Sequence, residues 1–145
     1  IGGLAPLPGA KRFLDQLREQ MQVVILSDTF VQFATPLMRQ LGWPTIFCNE
    51  LFTDEDGFIS TYRLRQQDGK RRAVQALHGI GFEVTAVGDS YNDLTMIEAA
   101  DHGALFRPPA NVTEEYPHLS AFTAYDPLLD FLLADQKDTE ADRAL

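Results

Sequence analysis

Cysteine is almost missing from this chain: Cys48 is the one example in 145 residues. A single cysteine excludes an internal disulfide framework and leaves the cytoplasm as the default compartment. Cys48 ends the apolar run Ile46-Phe47-Cys48, so a small buried side chain is expected there. Basic residues are also few, 12 Lys and Arg against 21 Asp and Glu, for a net charge of -9. A phosphate backbone needs a basic face, so nucleic acid is excluded as a partner. The acidic balance suits a carboxylate site that works with a divalent cation. No apolar run approaches the ~20 residues of a membrane span. No secretory signal and no membrane partner are expected. The three histidines, His78, His102 and His118, lack metal-ligand spacing, and no Ser-His-Asp arrangement is set up. An initiator Met is absent too: the chain opens Ile1-Gly2-Gly3 and reads as the interior of a longer protein.

What is present supports a core. The chain is 45% hydrophobic and 23% charged, in the range of one ordinary domain. Pro8 precedes a helix expected over 10–17, with Phe13, Leu14 and Leu17 as its apolar stripe. The β-branched run at 22–26 reads as a strand buried on both faces. Ser27-Asp28-Thr29 ends it and can cap a helix over 30–41, which Gly42 stops. A strand over 44–48 and a hairpin over 51–64 follow, turning at Asp54-Glu55-Asp56-Gly57. Then come a helix over 69–78, a strand over 82–87, a helix over 93–100 and a strand over 102–106. A short helix over 112–116, a strand at Phe122 and a helix over 127–133 complete the series. Residues 135–145, with four acids and two bases, are expected to be a disordered acidic tail behind a core at 1–134. Alternating strands and helices imply an α/β fold, a three-layer, Rossmann-like arrangement with a mostly parallel sheet and a small hairpin. No internal repeat and no second domain are expected.

The most informative stretch is Val84-Thr85-Ala86-Val87-Gly88-Asp89-Ser90-Tyr91-Asn92-Asp93. An apolar strand runs through Gly88 into two carboxylates four residues apart, and the C-terminal ends of strands are where α/β sheets place their sites. Ser90 and Asp93 are also what a helix start needs. They resemble a capping box with Asp in place of Glu, and an acid in the first turn complements the helix dipole. A helix start explains Asp89 less well. On the functional reading it would be a hard oxygen ligand for Mg²⁺, with Asp93 orienting it or a nearby cation. Ser27-Asp28-Thr29 has two readings. It is a helix cap, or it is an anion site in which a hydroxyl and free N–H groups take a phosphate. Lys70 begins a helix with Arg71 and Arg72, where cations oppose the dipole by about 0.3–1 kcal/mol each. It lies on a solvated face, or it turns over the sheet end and neutralises a phosphate and its transition state.

Two lookalikes fail. Asp54-Glu55-Asp56-Gly57 has the composition of a calcium loop, but Phe52 and Arg63 occupy its first and twelfth ligand positions. Gly79-Ile80-Gly81 precedes a strand, so it is not a dinucleotide fingerprint. The weight comes from order along the chain: a strand-end Ser, a helix-start Lys, then a strand-end Gly-Asp-x-x-x-Asp.

On Ile25-Leu26-Ser27-Asp28, Lys70 and Gly88-Asp89-Ser90-Tyr91-Asn92-Asp93, the chain resembles the haloacid dehalogenase superfamily of phosphohydrolases, at its second, third and fourth motifs. Pro6-Leu7-Pro8-Gly9-Ala10, Pro36 to Gly42 and Tyr62-Arg63-Leu64-Arg65-Gln66 extend the likeness to its phosphoserine phosphatase and homoserine phosphotransferase branch, over residues 4–134. The resemblance implies phosphoryl transfer through an aspartyl-phosphate. An Asp attacks phosphoserine, a neighbouring acid protonates the leaving alkoxide, and water or homoserine accepts the phosphoryl group. It implies Mg²⁺ as cofactor, with Asp89 as a ligand. Ser27 and the Asp28 backbone then hold phosphate, Lys70 stabilises its charge, Asn92 contacts substrate, and Asp93 supports the metal site. Serine and threonine biosynthesis in the cytoplasm, with a homodimer as one available assembly, belongs to the same expectation.

The family's first motif, Asp-x-Asp or Asp-x-Glu on the first strand, has no counterpart here, and neither does the cap that follows it. The nucleophile, the general acid and two metal contacts are then upstream of Ile1, and this chain alone is expected not to turn over. The missing strand belongs between those at 23–26 and 84–87. Losing about five buried apolar side chains forfeits on the order of 10 kcal/mol, against a whole-domain stability of about 5–15 kcal/mol. The isolated chain is therefore expected to be marginal, oligomeric or aggregation-prone. Two other readings stay open: a related phosphatase acting on another small phosphomonoester, and a non-catalytic remnant that binds phosphate or Mg²⁺.

Overall fold

The structure, a computed structural model, describes residues 5–143; expectations that touch residues 1–4 and 144–145 lie outside the described residues. Strands and helices alternate as α1 (Ala10–Arg18), β1 (Val24–Phe30), α2 (Val31–Gln40), β2 (Thr45–Thr53), β3 (Ile59–Arg63), α3 (Gly69–Gly79), β4 (Thr85–Gly88), α4 (Tyr91–Ala99), β5 (His102–Phe106), α5 (Ala110–Glu115), β6 (Ser120–Phe122) and α6 (Tyr125–Arg143). Three of the four ladders are parallel and β2–β3 is antiparallel. This is the mixed α/β, mostly parallel architecture that the alternation implies. The strands form two sheets rather than one, β1-β2-β3 and β4-β5-β6. The chain correspondingly divides into two compact units, residues 1–69 and 70–145. Among the described residues, β1 and β3 are the edges of the first sheet, and β4 and β6 those of the second.

In the first unit, α1 and α2 bury Leu14, Ala34, Met38 and Leu41 against Val23, Ile25 and Ile46. Helix α1 starts after Gly9, which takes a left-handed φ of 85°, and not directly at Pro8. Gly42 ends α2 as expected: its φ is 82°, and the Trp43 N–H closes the turn onto Met38 O at 2.8 Å. Strand β1 departs from expectation. It does not stop at Leu26, and Ser27 does not cap α2; Phe30 holds the N-cap position without a side-chain bond. The ladder shows why. Leu26 pairs with Phe47 and Phe30 with Asn49, so Ser27, Asp28 and Thr29 arc out opposite Cys48 alone. The strand at 44–48 and the first hairpin arm are likewise one strand, β2, which pairs with β1 and then with β3. Its turn uses Asp54 Oδ1 to accept the N–H groups of Asp56 at 3.0 Å and Phe58 at 2.9 Å.

In the second unit, α4 packs on β4 and β5, and α6 on β6. Strand β4 begins at Thr85 rather than 82 because closing α3 consumes the residues before it. Ile80 N–H reaches Ala76 O at 3.2 Å, and Phe82 N–H reaches Leu77 O at 3.0 Å across Gly81. Helix α6 continues past 133 to Arg143, into the segment read as tail. Its buried anchors are Leu128, Leu129 and Leu132, and the residues that follow include Ala, Gln, Lys and Glu, all good helix formers. Among the described residues, no helix is long and apolar enough to cross a membrane.

Candidate functional site

The C-terminal end of β4 is a corner built on Asp93. Helix α4 begins at Tyr91, with Ser90 as N-cap and Asp93 at its third position in a capping box. Asp93 Oδ2 accepts the N–H of Asp89 at 2.9 Å, and the N–H and hydroxyl of Ser90 at 3.3 Å each. Asp93 Oδ1 accepts from the Lys70 ammonium at 2.7 Å. The pair is secluded, with side-chain exposures of 18% for Lys70 and 8% for Asp93. Lys70 is thus not on a solvated face. Burial works to raise the Asp93 carboxyl, but the hydrogen bonds from Lys70 and the Asp89 N–H and the charge of Lys70 outweigh it and hold the group below its usual range.

Asp93 lies directly over Gly88. A Cβ added to Gly88 would stand 2.6 Å from Asp93 Cγ and 2.7 Å from Oδ2, and closer still to Asp93 Cβ. Glycine here permits the close approach; it is not a left-handed position. Asp89 stays exposed at the strand end, but its carboxyl is pushed up, first by desolvation and then by the hydrogen bond and charge of Asp93. Two carboxylates share this corner and one of them is neutralised by Lys70. The other is the group for which a cation would do most. Asn92 is exposed in the first turn of α4.

The first unit holds the other predicted residues. Ser27 is half-buried and Asp28 exposed, both in the arc between the regular parts of β1. Ser27 Oγ accepts the Thr29 N–H at 3.2 Å, which leaves the hydroxyl proton free to donate to a ligand. Asn49, which the sequence reading passed over, is buried at 8% exposure and donates from Nδ2 to Asp28 O at 3.1 Å. A lone Asn inside an apolar strand was the available signal. Tyr91 was also missed: its hydroxyl bonds to the Glu115 carboxylate, and Asn111 Nδ2 donates to it at 3.4 Å, tying the start of α4 to α5.

Among the described residues, no group of three or more His, Cys, Asp and Glu side chains is placed to hold a metal ion. The donor chemistry fits a hard divalent cation only in part: Asp89 offers one carboxylate, while Asp93 is committed to Lys70 and the turn.

A family model described as haloacid dehalogenase-like hydrolase matches residues 2–101, a span that contains Ser27, Asp28, Lys70, Asp89, Asn92 and Asp93. The chain belongs to the haloacid dehalogenase-like hydrolases. It is 49% identical over 139 residues to a phosphoserine phosphatase of Pseudomonas syringae pv. tomato, a match that covers 95% of this chain and 59% of that protein. It is 49% identical over 138 residues to phosphoserine phosphatase ThrH of Pseudomonas aeruginosa, over 94% of this chain and 67% of that protein. The chain therefore spans only part of the length of these curated relatives. Its fold resembles a probable phosphoserine phosphatase from Vibrio cholerae in unliganded form, with a TM-score of 0.71 at 23% identity, over 91% of this chain and 45% of that one. It also resembles a phosphoserine phosphatase solved as a phospho-aspartyl intermediate analogue, with a TM-score of 0.68 at 19% identity, over 85% of this chain and 62% of that one. The family match agrees with the resemblance carried by the three motifs.

Proposed function

We propose that this haloacid dehalogenase-like chain works as part of a Mg²⁺-dependent phosphoserine phosphatase that also uses homoserine as phosphoryl acceptor. The observation that carries the reading is the β4 corner: a secluded Lys70–Asp93 pair beside an exposed Asp89 whose ionised form is disfavoured. Identity of 49% to two phosphoserine phosphatases supplies the substrate class. In this reading Ser27 donates its hydroxyl proton to a phosphate oxygen, and the backbone at Asp28 adds to the same anion site. Lys70 opposes the charge that the phosphoryl group carries, and Asn92 contacts the rest of the substrate. Asp93 fixes the ammonium of Lys70 and the Asp89 backbone before substrate arrives, so little reorganisation is needed during transfer. Asp89 would hold Mg²⁺ together with ligands from the family's first motif. When bound, the ion neutralises the phosphate and the attacking carboxylate, which that motif also supplies.

The working core is placed at residues 1–134, with 135–145 outside it, acting in the cytoplasm on small phosphomonoesters as a monomer or homodimer. The test is phosphate release from phosphoserine, with and without Mg²⁺ and with and without homoserine, by the polypeptide extended to the length of its relatives. Activity that needs Mg²⁺ and falls sharply in Asp89→Asn supports the reading. An Asp89→Asn variant with full activity removes the metal assignment. Turnover confined to other phosphomonoesters removes the substrate assignment.

A further inference from the structure

We propose that Asn49 is a positioning residue for the arc Ser27-Asp28-Thr29, acting through the Asp28 carbonyl. The inference rests on the reading of that arc as a phosphate site. The ladder holds the arc only at its ends, Leu26 against Phe47 and Phe30 against Asn49. Between them the register shifts, and a side chain can help to fix the peptide planes. Asn49 does this from within: its Nδ2 donates to Asp28 O at 3.1 Å, while its Oδ1 accepts the N–H of Arg65 at 3.1 Å. The Arg65 side chain is anchored in turn, its Nε donating to Cys48 O at 2.6 Å. The amide is therefore a strut between the arc and the chain that leaves β3.

The consequence for chemistry is directional. The peptide that carries Asp28 C=O also carries Thr29 N–H, which points the opposite way and donates to Ser27 Oγ at 3.2 Å. Fixing the carbonyl fixes that N–H, and through it the oxygen of Ser27. The hydroxyl proton is then the free donor, aimed away from Thr29. The planar amide of Asn offers a donor and an acceptor at the reach that Asp28 and Arg65 require. Asp at this position keeps the acceptor and loses the donor; an apolar residue loses both.

The experiment uses the polypeptide extended to the length of its relatives, with inorganic phosphate as the probe, titrated by calorimetry or by the amide resonances of residues 27–29, with urea unfolding followed in parallel. Ser27→Ala serves as the control for the phosphate reading. Asn49→Asp is the main variant, and Asn49→Ser, smaller and neutral, stands in should the charge prevent folding. The expected result is a phosphate affinity weakened about three- to tenfold by either Asn49 variant in protein that is still folded, the scale of one lost hydrogen bond. Relative to wild type at the same pH, Asn49→Asp should regain affinity in acid, where its protonated carboxyl becomes a donor again. A residue that only supported the fold would shift the urea midpoint without this recovery. Wild-type affinity in folded Asn49 variants, alongside a weakened Ser27→Ala, overturns the role of Asn49 and leaves the phosphate site standing. Absent phosphate binding, or full affinity in Ser27→Ala, removes the phosphate reading and the positioning role with it.

Discussion

Gly88→Ala is the most demanding single-methyl change in the second unit. The added Cβ would sit 2.6 Å from Asp93 Cγ and 2.7 Å from Oδ2. Two relaxations are open. The strand end can yield, as in other overpacked positions, at a cost of about 1–3 kcal/mol. Alternatively Asp93 can swing away, which breaks its bond to Lys70 at 2.7 Å and its hold on the Asp89 N–H at 2.9 Å. Both partners of that ion pair are mostly buried, and separating such a pair costs about 3–5 kcal/mol. The cheaper route sets the observed value, so a loss of about 2–3 kcal/mol is expected in urea unfolding, a large share of the ~5–15 kcal/mol that holds a domain together. The decisive comparison is a double-mutant cycle. Asp93→Ala keeps the Cβ that clashes and should not relieve Gly88→Ala. Asp93→Gly removes it and should bring the added cost of Gly88→Ala to within about 0.5 kcal/mol of zero. An equal cost in wild-type and Asp93→Gly backgrounds would refute the close-approach reasoning.

On the proposed Mg²⁺ assignment, added Mg²⁺ should raise the thermal midpoint of the polypeptide extended to the length of its relatives, and Asp89→Asn should abolish that rise; an unchanged Mg²⁺ response in the variant would place the ion elsewhere. The Asp101 carboxyl is held below its usual range by the Val84 N–H at 2.7 Å, against some desolvation, and by the hydrogen bond to His78 at 2.6 Å. A depressed carboxyl contributes stability in full above its unfolded value of about 3.9 and loses it as the pH falls through the folded value. Asp101→Asn should therefore flatten the acid limb of stability below about pH 4, by no more than about 1 kcal/mol because the pair is well exposed; an acid limb identical to wild type would count against it. Cys48 is 4% exposed, and burial pushes its thiol up. A thiol reagent at pH 8 should therefore label it slowly until urea unfolds the chain, and rapid labelling of the native protein would contradict that burial.

The elements most legible in the sequence were those specified by local chemistry. Strand β5 matched residue for residue, α2 and α3 to within one, and the Asp54–Gly57 turn and the Ser90–Asp93 capping box followed from side chains a few residues apart. The differences arose where distant partners decide. Whether β1 stops at Leu26 depends on Phe30 finding Asn49, nineteen positions further on. Where β4 begins depends on the closure of α3 through Leu77 and Phe82. The corner showed the same division. Asp89 and Asp93 stood out by spacing, but the solvated reading of Lys70 could be dismissed only with Asp93 in view, 23 residues away. Asn49 offered no more than a lone amide in an apolar strand, since its meaning lies in a carbonyl and an N–H from two other segments.

The two groups of candidate residues share one construction. In each, a stretch of strand or its end departs from the regular ladder, and a polar side chain buried in the same unit bonds to its backbone. Asn49 does so for Asp28, and Asp93 for Asp89 and Ser90. Asn49 and Asp93 are the two polar residues that stand out as buried among the described residues, at 8% and 6% exposure. Burying a polar group is unfavourable unless its hydrogen bonds are made, so their seclusion is sustained only while the backbone keeps the shape they hold. The neighbouring side chains carry lighter structural duties: Ser27 Oγ accepts the Thr29 N–H at 3.2 Å, and the Asp89 carboxylate lies exposed at the strand end. Substitutions at Asn49 and Asp93 should consequently cost both stability and ligand affinity. Ser27→Ala and Asp89→Asn should cost affinity with a smaller loss of stability, and a variant at either position that unfolds the chain would contradict this division.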